Sequence, residues 1–273
     1  MTTAPAPAPR TPAGETGGGV HATARIRAVS NGRATTLPLL HGDGPFHLRR
    51  LRPRGGRARV CVIGAMSAPL GGDRLSIDVT VGDRADLEIT TAAATLALRG
   101  ATTAHATHHA GLRVGDHASL HWLPRPLISA CGSNLRQTCT VDLAPTARLL
   151  LREEQILGRA AEPPGDLTTR LTVRRDGRPL LDQHTGVGTA APGWDGPAVL
   201  AGHRATGQLL VVDPRLEDVP VQPHLFGNDP AQGRGVLVPL AGGPAVLVTA
   251  LAPTTVHLHR LLGHARSLLP LLP

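Results

Sequence analysis

Carboxylates that interrupt apolar text are the residues of this chain best placed to do chemistry. Only 20 of its 273 residues are acidic, and four of those fall inside or against hydrophobic runs. Asp73 follows Gly71-Gly72 just ahead of an alternating segment, and Asp78 stands between Ile77 and Val79. Glu153 and Glu154 close the run Leu149-Leu150-Leu151. A carboxylate inside a β core must be paired, hydrogen-bonded or wetted, because an isolated buried charge is strongly unfavourable. Two uses meet that demand. The carboxylates can cap turn amides and pair with Arg74 or Arg152. Alternatively Asp73, Asp78 and Glu153 can line a polar channel, with hydroxyls from Thr90 and Thr91, through which a divalent cation steps between weak oxygen sites.

The 14 histidines are the other candidates. His105, His108 and His109 lie close together in alanine-rich text, and His257 and His259 are two apart. Zinc sites combine such spacings with cysteine or carboxylate partners, and no such partner is adjacent to the first group. A solvated loop with at most weak affinity for nickel or zinc is expected there. On a helix His259 falls about 160° from His257, so these two and His264 cannot converge on one ion. Other chemistries find little footing. There is no lysine and hence no Walker A loop, Gly186-x-Gly188-x-x-Ala191 runs straight into Pro192, and no G-x-S-x-G elbow occurs.

The elements that must position these groups are strands and turns. Val81-Gly82-Asp83-Arg84-Ala85 is echoed by Val114-Gly115-Asp116-His117-Ala118, by Leu143-Ala144-Pro145-Thr146-Ala147 and by Val173-Arg174-Arg175-Asp176-Gly177. The interval is roughly 30 residues, the mark of stacked units each too small to bury its own face. Asn31-Gly32 predicts a hairpin. Strands are predicted over Arg59 to Ile63, Leu75 to Val81, Leu87 to Thr91, Leu135 to Val141 and Leu167 to Val173, and the Ala92 to Ala97 run is assigned to strand by its neighbours. Val256, Leu258, Leu261, Leu262, Ala265, Leu268 and Leu269 mark a C-terminal helix with Thr255 as N-cap and Pro270 as its stop. A short second helix is expected near Pro214 to Val219. The expected fold is therefore mainly β, with helically wound, stacked strands and one or two short helices. A Pro/Ala/Gly-rich tail over residues 1–19 precedes one β domain over residues 20–273.

Composition narrows the function classes. Hydrophobic residues make up 41% and aromatics 1%, so aliphatic side chains must pack the core and base- or sugar-stacking platforms are nearly absent. The net charge of +8 favours acidic partners. The densest basic stretch, His47 to Arg59, is broken by Pro53 and Gly55-Gly56, which argues against nucleic acid. Cys61, Cys131 and Cys139 form no C-x-x-C pair, and the first residues contain no apolar core of a signal peptide. No run approaches a membrane span. A cytoplasmic protein that does not touch the membrane is expected.

One family combines these pieces. Ala68-Pro69-Leu70-Gly71-Gly72-Asp73-Arg74-Leu75 together with Leu87-Glu88-Ile89-Thr90-Thr91-Ala92-Ala93-Ala94-Thr95 resembles the signature of the urease accessory protein UreD (UreH) family. Trp122-Leu123-Pro124, Glu153 through Leu157-Gly158-Arg159, and Arg174-Arg175-Asp176-Gly177-Arg178-Pro179-Leu180 extend the likeness in order over about residues 60 to 182. The resemblance implies a non-catalytic maturation factor that docks apo-urease with UreF and the GTPase UreG and conducts nickel along an internal path. The nickel is transient, and no tightly bound cofactor is implied. It also implies structural roles for Gly71, Gly72, Gly158 and Arg159. The rival readings are a β-helical enzyme acting on polysaccharide, which usually needs secretion and sugar-stacking aromatics, and a general arginine-rich interaction module.

Overall fold

The structure, a computed structural model, describes residues 18–227, 229 and 231–269. Most of the expected tail (residues 1–17) and the expected helix stop at Pro270 lie outside the described residues. The first strands are β1 (His21–Ser30), β2 (Thr35–His41), β3 (Phe46–Arg54), β4 (Arg57–Gly64), β5 (Arg74–Val81) and β6 (Asp86–Thr91). Then come β7 (Thr95–Ala97), β8 (Ala106–Val114), β9 (Ser119–Leu123), β10 (Leu127–Ser129), β11 (Asn134–Leu143) and β12 (Arg148–Leu157). The series ends with β13 (Asp166–Arg175), β14 (Arg178–Val187), β15 (Ala205–Val212), β16 (His224–Phe226), β17 (Arg234–Pro239) and β18 (Ala245–Ala252). A 3-10 turn spans Pro214–Glu217, and one α-helix, α1 (Thr255–Ser267), follows β18.

The repeat in the sequence is the winding of the chain between two sheets. A seven-stranded sheet runs in the order β14-β13-β11-β8-β5-β1-β2, and the larger sheet in the order β16-β17-β18-β15-β12-β9-β6-β4-β3. The short strands β7 and β10 pair beside β12. Successive units place one strand in each sheet, so β5, β8, β11 and β13 stack in parallel in the first. Strands β6, β9 and β12 do the same in the second. The echoed turns stack at the corners. Gly115 N–H donates to Val81 C=O (2.8 Å), and Ala144 N–H to Val114 C=O (2.9 Å). Asp116 N–H donates to the Asp83 carboxylate (2.9 Å), and His117 N–H to the Thr146 hydroxyl (2.8 Å). This is the architecture of a β-solenoid, in which neighbours supply the hydrogen bonds that one unit cannot make alone.

The fourth echo departs from the pattern. Asp176 (φ 53°) and Gly177 (φ 70°) both take the left-handed conformation, the geometry of a tight two-residue hairpin. The chain therefore returns along the same sheet as β14, antiparallel to β13, and does not cross. The Asn31-Gly32 hairpin joins β1 and β2 as expected. The Ala92 to Ala97 run divides into bends at Ala92 and Ala93 and strand β7.

Inward side chains of both sheets form a main apolar cluster that includes Ile26, Val60, Val79, Leu87, Leu112, Leu120, Val141 and Leu151. A second cluster lies outside the larger sheet, where α1 covers β15, β17 and β18. The N-cap is Thr254, not Thr255: Thr254 is extended (φ −139°), and its hydroxyl accepts from His257 N–H. Leu258, Leu262, Ala265 and Leu269 are buried. Val256 is 58% exposed and Leu268 39%, because at 100° per residue Val256 sits about 160° from Leu258 and Leu268 about 80°.

Candidate functional site

Between the two sheets, a polar layer divides the interior. On β12 the pleat turns Leu149, Leu151, Glu153, Gln155 and Leu157 toward the opposite sheet. Leu149 and Leu151 belong to the main cluster, and Leu157 to a third cluster with Ala97, Ala106, Leu127, Leu135 and Leu167. Glu153 and Gln155 lie between the two. Glu153 pairs across strands with Gln208 on β15, and Gln208 with Thr249 on β18. The Gln208 side-chain amide donates to Glu153 Oε2 at 2.7 Å. On the facing sheet one ladder row runs His108, Gln137, Thr169, Thr185, all at inward positions of their strands. Thr169 and Thr185 share a hydroxyl hydrogen bond of 2.6 Å.

Electrostatics mark Glu153 as the centre of this layer. It is 7% exposed, and burial raises its carboxyl above the usual carboxylate value, partly offset by the Gln208 hydrogen bond. Cys139, buried on β11, has its thiol pushed well up by burial and by the adjacent Glu153 charge. The side-chain oxygens of Gln137 and Gln183 are buried without a hydrogen-bond partner, so acceptor capacity is left open within the layer. Gln137, Thr169, Gln208 and Thr249 face inward yet are only part-buried. Solvent therefore reaches the layer, and a hydrated guest with oxygen-seeking chemistry suits it.

The other expected site residues are dispersed. Asp73 is buried, and its two oxygens accept from Val20 N–H and Leu70 N–H, each at 2.8 Å. That is the turn-capping alternative, and it anchors β1 to the start of β5. Asp78 points to the outer face of the seven-stranded sheet, beside Gly111 and His109. Thr90 and Thr91 are adjacent on β6 and so face opposite ways. Thr91 donates to Ala93 C=O (2.8 Å) and accepts from Arg125 N–H (2.9 Å). Of the five, Glu153 sits in the interior layer, and Thr91 also faces inward, lining the cavity that His108 lines.

The glycine motifs shape backbone. Gly72 has φ 97°, a conformation that penalises any side chain. A Cβ on Gly71 would come within 2.7 Å of Ala104 C=O, and one on Gly158 (φ 80°) within 2.7 Å of Glu162 C=O. Arg159 holds Glu162 in a two-pronged ion pair (2.8 and 2.9 Å), which brings the Glu162 carboxyl down to about 2.

The histidines differ most from expectation. His108 and His109 lie on strand β8, not on a loop, because the parallel ladders of β5 and β11 claim both edges of that segment. His108 faces inward, stacked on Phe46 at 6.3 Å, and burial takes it down to about 4. It lines a largely apolar cavity of about 330 Å³ with Phe46, Met66, Leu75 and Trp122. His109 faces outward and bonds the Thr138 hydroxyl (2.8 Å). On α1, His257 bonds Thr254, His264 meets the Phe226 ring edge, and His259 Nε2 contacts Glu154 Oε2 at 2.6 Å. The helix histidines do not converge, as expected. The Glu154 contact went unforeseen, since it joins residues 105 positions apart. Arg152 completes that cluster with an ion pair to Glu154 at 3.0 Å. Among the described residues no group of three or more His, Cys, Asp or Glu side chains is placed to hold a metal ion, and no helix is long and apolar enough to cross a membrane.

The fold is a two-sheet β-solenoid with a part-buried polar stratum between its sheets, and the comparisons with known proteins show its family. The model of the UreD urease accessory protein family matches residues 20–271. The chain is 68% identical over 258 residues to urease accessory protein UreD 2 of Saccharopolyspora erythraea, covering 94% of this chain and 91% of that protein. It is 59% identical over 238 residues to UreD 3 of Streptomyces griseus subsp. griseus (85% and 90% covered). It is also 53% identical over 250 residues to UreD of Streptomyces coelicolor (91% and 96% covered). The chain belongs to the UreD urease accessory protein family.

Proposed function

We propose that this chain is a urease maturation factor: a non-catalytic cytoplasmic scaffold that docks apo-urease together with UreF and UreG and passes nickel to the urease active site. Nickel is its cargo, held transiently and not as a resident cofactor. The observation that carries this reading is the pair of facing polar rows around Glu153, which form a part-buried polar stratum between two apolar clusters. A cation crossing there meets one carboxylate, several amide and hydroxyl oxygens, and few competing positive charges. Each site supplies too few ligands to trap the ion, which is what transit requires. Burial makes the Glu153 carboxyl hold a proton more readily than a free carboxyl does, so proton and nickel compete for the same oxygens.

The test is nickel loading of apo-urease in a reconstitution with UreF, UreG, GTP and nickel, read as metal per urease site. Glu153→Gln keeps side-chain length while removing the charge. Its initial loading rate is expected to fall about tenfold. Asp195→Asn, at an exposed turn outside both sheets, leaves the rate unchanged. The Glu153→Gln protein should be at least as stable as the parent at pH 7, since it relieves a buried charge. Unchanged loading in Glu153→Gln would remove the interior layer from the nickel path.

A further inference from the structure

The outer face of the seven-stranded sheet carries arginines in excess of its carboxylates: Asp78 stands in register beside Arg25, and Asp142 beside Arg113 and Arg174. Arg25 and Arg27 on β1, Arg74 on β5, Arg113 on β8, Arg136 on β11 and Arg174 on β13 are all exposed. Among the described residues none of the six lies within ion-pair distance of a carboxylate. On the other sheet several arginines are paired. There Arg57 pairs with Asp86 (2.7 Å), Arg59 with Glu88 (2.7 Å) and Arg152 with Glu154 (3.0 Å). On the arginine face the one ion pair among the described residues is Arg170 with Asp182 at 2.7 Å. Arginines therefore outnumber carboxylates on this face, which gives it a net positive charge.

Topology adds an independent observation. Strands β1, β5, β8, β11 and β13 are parallel throughout, and parallel sheets are normally covered on both faces. Here α1 packs on the opposite sheet, against β15, β17 and β18. Threonines fill positions between the arginines, with Thr80, Thr107 and Thr138 in register beside them, so the face is flat and polar. Seven strands spaced about 4.8 Å apart and some eight residues long at about 3.3 Å each give a patch of roughly 750 Å². One partner of a standard protein interface contributes about 800 Å².

We infer that this face docks a flat, acidic protein surface within the urease-maturation assembly, an inference that rests on the proposed function. Guanidinium forks pair with carboxylates in two-pronged fashion and shed water more readily than ammonium groups. A protein fits better than nucleic acid. Asp78 and Asp142 interleave with the arginines and would repel a phosphate backbone, no Phe, Tyr or Trp among the described residues stands on the face for bases to stack on, and a flat sheet offers no groove.

The experiment measures binding of the full chain to immobilised apo-urease assembled with UreF and UreG, with urease activation followed in the same samples. Poly-L-glutamate and a short DNA duplex serve as simple probes. Wild-type binding should weaken steeply as salt rises from about 50 to about 300 mM. The double variant Arg113→Glu/Arg136→Glu, which breaks no ion pair, should bind about tenfold or more weakly. Arg260→Glu, on the exposed side of α1, should bind as wild type does. Poly-L-glutamate should compete and the duplex should not. Undiminished binding by the double variant, absence of wild-type binding, or competition by the duplex alone would each overturn the docking face. If the double variant binds and activates normally, the maturation reading stands without this face. Failure of the wild type to activate urease with all partners present would instead bring down the maturation reading.

Discussion

Replacing Leu258 with alanine should lower the stability of this protein by about 2–5 kcal/mol. Leu258 is fully buried (0% exposed) in the cluster that fixes α1 to the larger sheet. Beneath it lies Gly207 on β15, where an added Cβ would come within 3.2 Å of both Leu258 methyl carbons and 3.0 Å of a Leu262 methyl. The leucines rest on bare backbone, and that backbone is held on both sides by β12 and β18. The floor cannot rise to fill the space that truncation leaves, so the cavity term adds fully to the transfer term. Val256 on the same helix is 58% exposed, and Val256→Ala should stay within about 0.5 kcal/mol. Denaturant unfolding of the two variants checks the pair, and equal losses would refute the packing assigned to α1.

The helix shows how far sequence reasoning reaches. Its existence follows from periodicity, and so does the burial of Leu258, Leu262, Ala265 and Leu269. Val256 was misplaced because a stripe read by residue type admits any apolar side chain, whereas the angle about the axis admits only some. The solenoid was legible for a related reason. A turn that stacks on its copies must repeat its hydrogen-bonding residues, and Asp83, Asp116 and Thr146 are those residues. The fourth echo misled because the residues that close a corner between sheets also close a hairpin within one. Which of the two forms depends on where β14 finds a free edge, and no local signal encodes that.

The interior layer was half legible. Glu153 was found because a carboxylate inside apolar text is conspicuous. Gln137, Gln155, Gln208, Thr169 and Thr249 were missed, although each occupies an inward pleat position. In Leu135-Arg136-Gln137-Thr138-Cys139-Thr140-Val141 the glutamine stands where alternation calls for a hydrophobe, and that was the available signal. No strand taken singly reveals that five such residues come from five strands into one stratum. The opposite error concerned Asp73, Asp78 and Thr90, grouped with Glu153 by residue type. Asp73 caps a turn, while Asp78 and Thr90 point away from the interior. Sequence distance carries no information about which side of a sheet a residue serves unless its strand parity is followed from a fixed point.

Parity also governs His108, whose inward position predicts an acid-sensitive fold. In the folded protein it titrates near 4, pushed down first by burial and then by His109, whereas an unfolded histidine titrates near 6.5. Between those values the unfolded chain binds the extra proton, so stability falls as pH drops from about 6.5 to about 4. The full shift corresponds to about 3 kcal/mol, reduced to the extent that solvent reaches the ring through the cavity mouth. His108→Leu suits the apolar wall formed by Phe46, Leu75 and Trp122 and abolishes the titration. The stability of the variant relative to the parent should therefore climb by up to that amount on acidification from pH 7 to 4. His121 on the outer face, also near 4 through burial and the Arg57 charge, contributes with the same sign in both proteins and cancels. Glu153 acts in the opposite sense. Its raised carboxyl makes a contribution that is present below about pH 4.3 and lost as pH rises, so Glu153→Gln should gain on the parent toward alkaline pH. Thermal melts of the three proteins across this range separate the two groups by the sign of the slope. A pH-independent difference between His108→Leu and the parent would show that the ring is not held neutral by its burial.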